Sequence, residues 1–123
     1  MRALVVDDSR AMRNIIAGIL RDIGFEADTA CDGQEALNRL AAGPLPEVVL
    51  LDWNMPVMDG FTFLVEARKK PEYADVRIVM VTTEGEIAHM VKALEAGANE
   101  YIMKPFTKDV IAEKLMILGV MPE

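Results

Sequence analysis

Val48-Val49-Leu50-Leu51-Asp52 is an apolar run that ends on a carboxylate, and it sets the pattern for the whole chain. Outward from it in both directions the same punctuation returns. Ala3-Leu4-Val5-Val6 stops at Asp7-Asp8, Val76-Arg77-Ile78-Val79-Met80-Val81 stops at Thr82-Thr83, and Tyr101-Ile102-Met103 stops at Lys104. Short Val- and Leu-rich runs bounded by polar residues read as strands buried on both faces. Between them the spacing changes. Met12, Ile15, Ile16, Ile19, Leu20 and Ile23 follow the three-and-four rhythm of one helix face, with Ser9 to cap that helix and Gly24 to end it.

The alternation continues along the chain. Residues 26–30 read as a more polar edge strand, and Asp32 with Glu35 makes a capping box ahead of Ala36, Leu37 and Leu40. Gly43-Pro44 and Pro46 close that helix. A turn-rich loop over residues 54–60 leads to a third helix, capped by Asp59, that turns Phe63, Leu64 and Ala67 inward and ends before Pro71. A fourth helix carries Ile87, Met90, Val91 and Leu94 on one face and stops near Gly97, and a fifth runs from Thr107 to about Leu118. Five strands and five helices in strict alternation specify an α/β fold: a parallel sheet covered on both faces and joined by right-handed crossovers. The strand order 2-1-3-4-5 is taken from known doubly wound, flavodoxin-like (βα)5 folds, because it sets strands one and three side by side at the switch point. Ligands of such sheets lie beyond the carboxyl ends of the strands, so Asp7, Asp8, Asp52, Thr82 and Lys104 are expected to share one pocket.

Composition narrows the function classes. The 123 residues match one domain, expected to span 1–123 with no effector domain attached. A net charge of −7 provides none of the clustered cations that nucleic-acid binding draws on. The apolar stretches are strand-sized and far short of a membrane span, so the expectation is a cytoplasmic protein bound to neither nucleic acid nor membrane. Cys31 is the single cysteine, has no neighbouring Cys or His for zinc, and reads as packing.

Three clustered carboxylates repel one another unless a cation joins them. Oxygen ligands without His or Cys favour a hard ion, and Mg²⁺ suits a few carboxylates with waters and a phosphoryl oxygen. Asp52, at the end of its strand, is the natural nucleophile, able to take a phosphoryl group as a mixed anhydride. Lys104 can neutralise charge from the opposite side while Thr82 donates a hydrogen bond. Asp59 fits the role of a helix cap better than that of a ligand, and His89 reads as a solvated surface residue.

These residues also carry a resemblance. Val5-Val6-Asp7-Asp8-Ser9, Leu51-Asp52-Trp53-Asn54-Met55-Pro56-Val57-Met58-Asp59-Gly60, Met80-Val81-Thr82-Thr83-Glu84 and Tyr101-Ile102-Met103-Lys104-Pro105-Phe106 together resemble the response-regulator receiver domain, above all its stand-alone chemotaxis members, across essentially the whole chain. The resemblance implies a switch that catalyses only its own phosphorylation and dephosphorylation. Asp52 would accept a phosphoryl group from a sensor histidine kinase like the chemotaxis kinase CheA. Asp7, Asp8, Asp52 and the Asn54 main-chain carbonyl would organise Mg²⁺, Lys104 would contact the phosphoryl group, and the Lys104-Pro105 bond would be cis. Thr82 and Tyr101 would form a switch pair that remodels the face built from the fourth helix, fifth strand and fifth helix. The downstream target would be a protein such as the flagellar motor switch, a phosphatase is a further partner, and the chain is expected to be a monomer. Asn54 and Glu84 imply a short-lived phosphoryl group. Lys114, Met90 and Met103 lie on the output face, whereas Gly85-Glu86-Ile87 and Ser9 depart from the best-known members.

Other classes use similar parts. A single-domain phosphorelay or kinase-regulating receiver outside chemotaxis shares every motif. Haloacid-dehalogenase-type phosphatases also combine an aspartyl nucleophile, Mg²⁺, a hydroxyl residue and a lysine, but they place Asp-x-Asp where this chain has Asp7-Asp8. A phosphorylation-independent interaction module on the same fold has no need to keep the acceptor, the acidic pair, the threonine and the lysine together. Tyr101 also has a plain alternative, that of covering an edge strand with its ring.

Overall fold

The computed structural model describes residues 1–83 and 87–122. Its elements run β1 (Arg2–Val6), α1 (Arg10–Ile23), β2 (Glu26–Ala30), α2 (Gly33–Ala42), β3 (Val48–Leu51), α3 (Gly60–Arg68), a 3₁₀ turn (Pro71–Tyr73), β4 (Arg77–Thr82), α4 (Ile87–Glu95), β5 (Glu100–Met103) and α5 (Lys108–Ile117). Every strand pairing is parallel, in the order β2-β1-β3-β4-β5 that the sequence predicts.

Alternate residues of each strand feed opposite layers, because successive side chains in a strand point to opposite faces. Leu4, Val6, Val49, Leu51 and Met80 pack toward α2 and α3, against Leu40, Phe63 and Leu64. Val5, Leu50, Val79 and Ile102 pack toward α1 and α5, against Ile16, Leu20, Ile111 and Leu115. The helix starts follow their caps. The Ser9 hydroxyl accepts from the Met12 amide at 3.2 Å, Asp32 from Glu35 at 2.8 Å, Asp59 from Thr62 at 2.7 Å and Thr107 from Val110 at 3.2 Å. Gly24 ends α1 at φ 119°, a left-handed conformation that glycine adopts without strain.

The far end of the sheet is tied by one side chain. Arg68, the last residue of α3, donates from Nε to the Gly97 carbonyl at 3.0 Å, from Nη1 to Tyr73 at 2.9 Å and from Nη2 to Val76 at 2.8 Å. Nη2 also reaches Asn99 Oδ1 at 2.9 Å, and the same oxygen accepts from the Ile78 amide at 2.8 Å. A planar fork of donors thus joins α3, the 3₁₀ turn, the start of β4 and the link from α4 to β5.

Several expectations are corrected. Strand β4 begins one residue later than read and includes Thr82, because Thr82 pairs with Met103 in the ladder. On α4 the apolar face does not enter the core: Ile87 is 77 % exposed and Val91 and Leu94 are each 46 % exposed. The helix packs instead through buried Ala93 and half-buried Met90. On α1, Ile15 likewise faces solvent. The readings made on Glu84, Gly85 and Glu86 lie outside the described residues.

Cys31 is also corrected: it is exposed, not packed. It follows edge strand β2, where one side of the chain has no neighbour to bury it. Its Sγ lies 2.9 Å from Glu35 Oε2, which also accepts from the Cys31 amide at 3.2 Å, so the Glu35 arm of the capping box reaches one residue before the cap. The hydrogen bond to Glu35, with desolvation and the charges of Glu35 and Asp32 added, pushes the thiol up to about 11. Thiolate is the reactive form, so despite its exposure Cys31 should react with a disulfide reagent at pH 8 roughly a hundredfold more slowly than an unperturbed thiol. Glu35→Gln should recover most of that rate in a stopped absorbance assay.

Candidate functional site

The hydrogen-bond ladder runs one residue past the strand ends, and that extension positions the site. The Asp52 amide donates to the Val6 carbonyl at 3.0 Å, the Asp7 amide to Ala30 at 3.2 Å and the Lys104 amide to Thr82 at 2.9 Å. Each side chain therefore starts from a backbone held as firmly as the sheet itself. One carboxylate oxygen from each of Asp7, Asp8 and Asp52 falls within 4.8 Å of the others, a cluster able to hold a metal ion.

The three acids differ in setting. Asp7 is 1 % exposed, Asp52 half-buried and Asp8 exposed. Asp7 Oδ1 accepts from the Ser9 amide at 2.9 Å, and its Oδ2 accepts from Lys104 Nζ at 2.9 Å. Asp52 Oδ1 accepts from the Trp53 amide at 2.7 Å, while its Oδ2 lies 3.3 Å from the same Lys104 ammonium. Burial pulls the Lys104 pKa down, but hydrogen bonds and charges from Asp7 and Asp52 outweigh it and raise the pKa above the ordinary lysine value. An all-oxygen donor set of this kind fits Mg²⁺ and offers nothing to a soft metal.

The other expected residues lie on or next to β3, β4 and β5. Thr82 is fully buried at the carboxyl end of β4. Asn54 is exposed two residues past Asp52, and Tyr101 is buried in β5 within the layer that α4 covers. The Lys104-Pro105 bond is cis, as the resemblance implies, and so is Gly43-Pro44. Lys114 of α5 pairs with Glu100 of β5 at 3.5 Å, and Met103 at the end of β5 is exposed. A separate cleft of roughly 120 Å³, bordered by Arg2, Asp28, Arg39 and Pro44, lies at the amino ends of the strands and shares no residue with this site.

Some contributors are not legible in the sequence. Gly60 opens α3 hard against the acceptor strand, its amide donating to the Trp53 carbonyl at 2.8 Å. A Cβ there would overlap the Asp52 carbonyl oxygen. Trp53 stacks on Phe61 with ring centroids 5.3 Å apart, and Lys92 Nζ sits 4.4 Å from the centre of the Phe61 ring. His89, read as a solvated surface residue, is instead half-buried with its ring 5.3 Å from Trp53. Nothing in the local spacing shows that α3 and α4 enclose this tryptophan together.

Comparison with known proteins follows the same lines. The response regulator receiver domain model matches residues 3–116. Chemotaxis protein CheY1 of Helicobacter pylori is 43 % identical over 121 residues, covering 97 % of this chain and 98 % of that protein. The CheY homolog of Campylobacter jejuni is 44 % identical over 116 residues, 94 % of this chain and 89 % of its own length. Among solved structures, Vibrio cholerae CheY4 superposes with a TM-score of 0.87 at 35 % identity, covering 95 % of this chain and 97 % of that one. The CheY of Borrelia burgdorferi, solved as a complex with CheX, BeF₃ and Mg²⁺, reaches 0.91 at 30 % identity, covering 98 % and 90 %.

Two outcomes follow from the geometry. Gly60→Ala forces the acceptor strand and α3 apart, so urea denaturation should show a loss on the order of 2–3 kcal/mol. Lys104→Met leaves Asp7 and Asp52 facing each other without their cation and should cost about 2 kcal/mol, recovered on adding Mg²⁺. The sign with pH is also set. Because the folded pKa of Lys104 lies above its unfolded value, its contribution is complete below the unfolded pKa and is lost as pH rises through the folded one. The variant should therefore show a flatter alkaline limb than the parent in a stability–pH series.

Proposed function

The chain belongs to the response regulator receiver domain family, among its CheY-like chemotaxis members, and we propose that it is a switch phosphorylated on Asp52. CheY-like receivers are signalling switches and not enzymes in the ordinary sense. The observation that carries the reading is the convergence of Asp7, Asp8, Asp52 and Lys104 at the carboxyl ends of β1, β3 and β5. The match extends over nearly the whole length of the Helicobacter relative.

Phosphoryl transfer asks mainly for positioning and charge neutralisation. A carboxylate oxygen of Asp52 attacks the phosphorus of a phosphohistidine, the P–N bond breaks, and the imidazole leaves with the bonding pair. The Trp53 amide on Oδ1 fixes the rotation of the Asp52 carboxylate so that its other oxygen faces Lys104. Asp7, Asp8, Asp52 and the main-chain carbonyl of Asn54 would hold Mg²⁺, which would supply positive charge toward the phosphoryl oxygens. The Lys104 ammonium moves from its two carboxylates onto the incoming phosphoryl group, and Thr82 hydrogen-bonds an oxygen of it. Hydrolysis by water returns the carboxylate.

Output leaves through the face of α4, β5 and α5. Ile87, Val91, Leu94 and Met103 expose apolar surface there, and a soluble monomer has no folding reason to keep such a patch. Thr82 and Tyr101 couple the pocket to this face as a population shift between two arrangements. The donor is a histidine kinase of the CheA type, the target a motor-switch protein, and the setting the cytoplasm. Among the described residues no helix is long and apolar enough to cross a membrane.

Trp53 directly follows the acceptor, so its emission reads pocket occupancy without a label. Mg²⁺ followed by acetyl phosphate should change that emission reversibly and add one phosphoryl group by intact mass. Asp52→Asn should abolish both the acetyl phosphate step and the mass increment. A parent protein that gains no phosphoryl group while remaining folded would refute the proposal.

A further inference from the structure

Arg13 stands outside every role assigned above, yet its guanidinium reaches the acidic cluster. From the first turns of α1, its Nη1 donates to the main-chain carbonyl of Asp7 at 2.7 Å, a short, charge-assisted bond. That carbonyl belongs to the peptide unit shared by Asp7 and Asp8. A peptide unit is planar, so holding its oxygen also fixes the Asp8 nitrogen and Cα. Among the described residues no hydrogen bond or ion pair reaches the Asp8 carboxylate, and Asp8 is exposed. The aim of that carboxylate therefore depends on the backbone that carries it. Asp7 needs no such help: its amide is held by Ala30, one carboxylate oxygen by the Ser9 amide and the other by Lys104.

We propose that Arg13 is a positioning residue for the metal site, locking the Asp7–Asp8 peptide plane so that the Asp8 carboxylate faces those of Asp7 and Asp52. The inference rests on the reading of that cluster as a Mg²⁺ site. Groups that orient metal ligands typically change affinity ten- to a hundredfold when removed. Arg13 is itself a cation beside a cation site, and this makes the sign decisive. Were it only a nearby charge, its removal would relieve repulsion and tighten Mg²⁺ binding. Acting through the peptide plane, its removal loosens binding.

The test is calorimetric titration of Mg²⁺ into the full chain as the parent, Arg13→Met and Arg13→Lys, with thermal unfolding of each in the absence of metal. Arg13→Met keeps the stem that lies along α1 while losing the donor, and Arg13→Lys keeps one donor and the charge. The expected result is Mg²⁺ affinity weakened about tenfold in Arg13→Met, an intermediate value in Arg13→Lys, and midpoints within a few degrees of the parent. Affinity in Arg13→Met equal to or tighter than that of the parent would overturn the proposal, as would a loss explained by a collapsed unfolding midpoint. A parent that takes up no Mg²⁺ would instead overturn the reading of the cluster as a metal site, so the two failures are told apart.

Discussion

Lys104 holds two carboxylates at once, Asp7 at 2.9 Å and Asp52 at 3.3 Å, and that ammonium offsets the repulsion between them where the strand ends meet. Like charges gathered in a half-buried pocket repel, and the sheet hydrogen bonds that bring β1 and β3 together bring the charges together too. One cation from a third strand makes the arrangement stable in the absence of any ligand. It is also a cation on a flexible stem, able to exchange these partners for others. The same contact thus holds the resting structure together and leaves it ready for a stronger source of charge. Folding and chemistry draw on one ion cluster, as expected where a parallel sheet puts its strand ends into a common crevice.

Around that cluster the rigidity is uneven. The Asp52 backbone is braced by the Val6 carbonyl and the close approach of Gly60, and its carboxylate by the Trp53 amide. On the α4 side the packing is thinner. The helix buries Ala93 and leans on Met90, while Ile87, Val91 and Leu94 stay in solvent. A helix with so little apolar surface in the core is inexpensive to shift, because the free energy of moving it scales with the contacts it gives up. The stack of Trp53, Phe61 and Lys92, with His89 against the same indole, links this lightly held helix to the residue beside Asp52.

Most of the fold was legible because its signals are local. Capping side chains, left-handed glycines and apolar strand runs each act within a few residues, and Ser9, Gly24, Asp59 and Thr107 stand where spacing put them. The four residues at the heart of the pocket were legible for a different reason: a parallel sheet converts position at the ends of three separate strands into proximity. What failed depended on contacts between distant segments. The α4 periodicity is that of a core face, and only the tertiary packing shows that it looks outward. Cys31 and His89 were misjudged on the same ground, since an edge strand leaves one exposed and a neighbouring tryptophan half-covers the other. The Arg13 bond and three of the four Arg68 bonds end on main-chain oxygens, for which no residue type gives a sign.

The Arg68 knot has a bearing on how the molecule meets a changing environment. Its acceptors are three carbonyl oxygens and one amide oxygen, none of which titrates, and a guanidinium keeps its charge at any ordinary pH. The opposite end of the sheet is held by carboxylates and an ammonium, whose pairing depends on the charges around it. The protein is therefore chemically polarised along its strands: one pole senses the medium, and the other serves as an anchor indifferent to it. A disturbance at the sensing pole can be spent on rearranging α4 and β5 there, because the far ends of the same two elements are clamped and cannot simply follow.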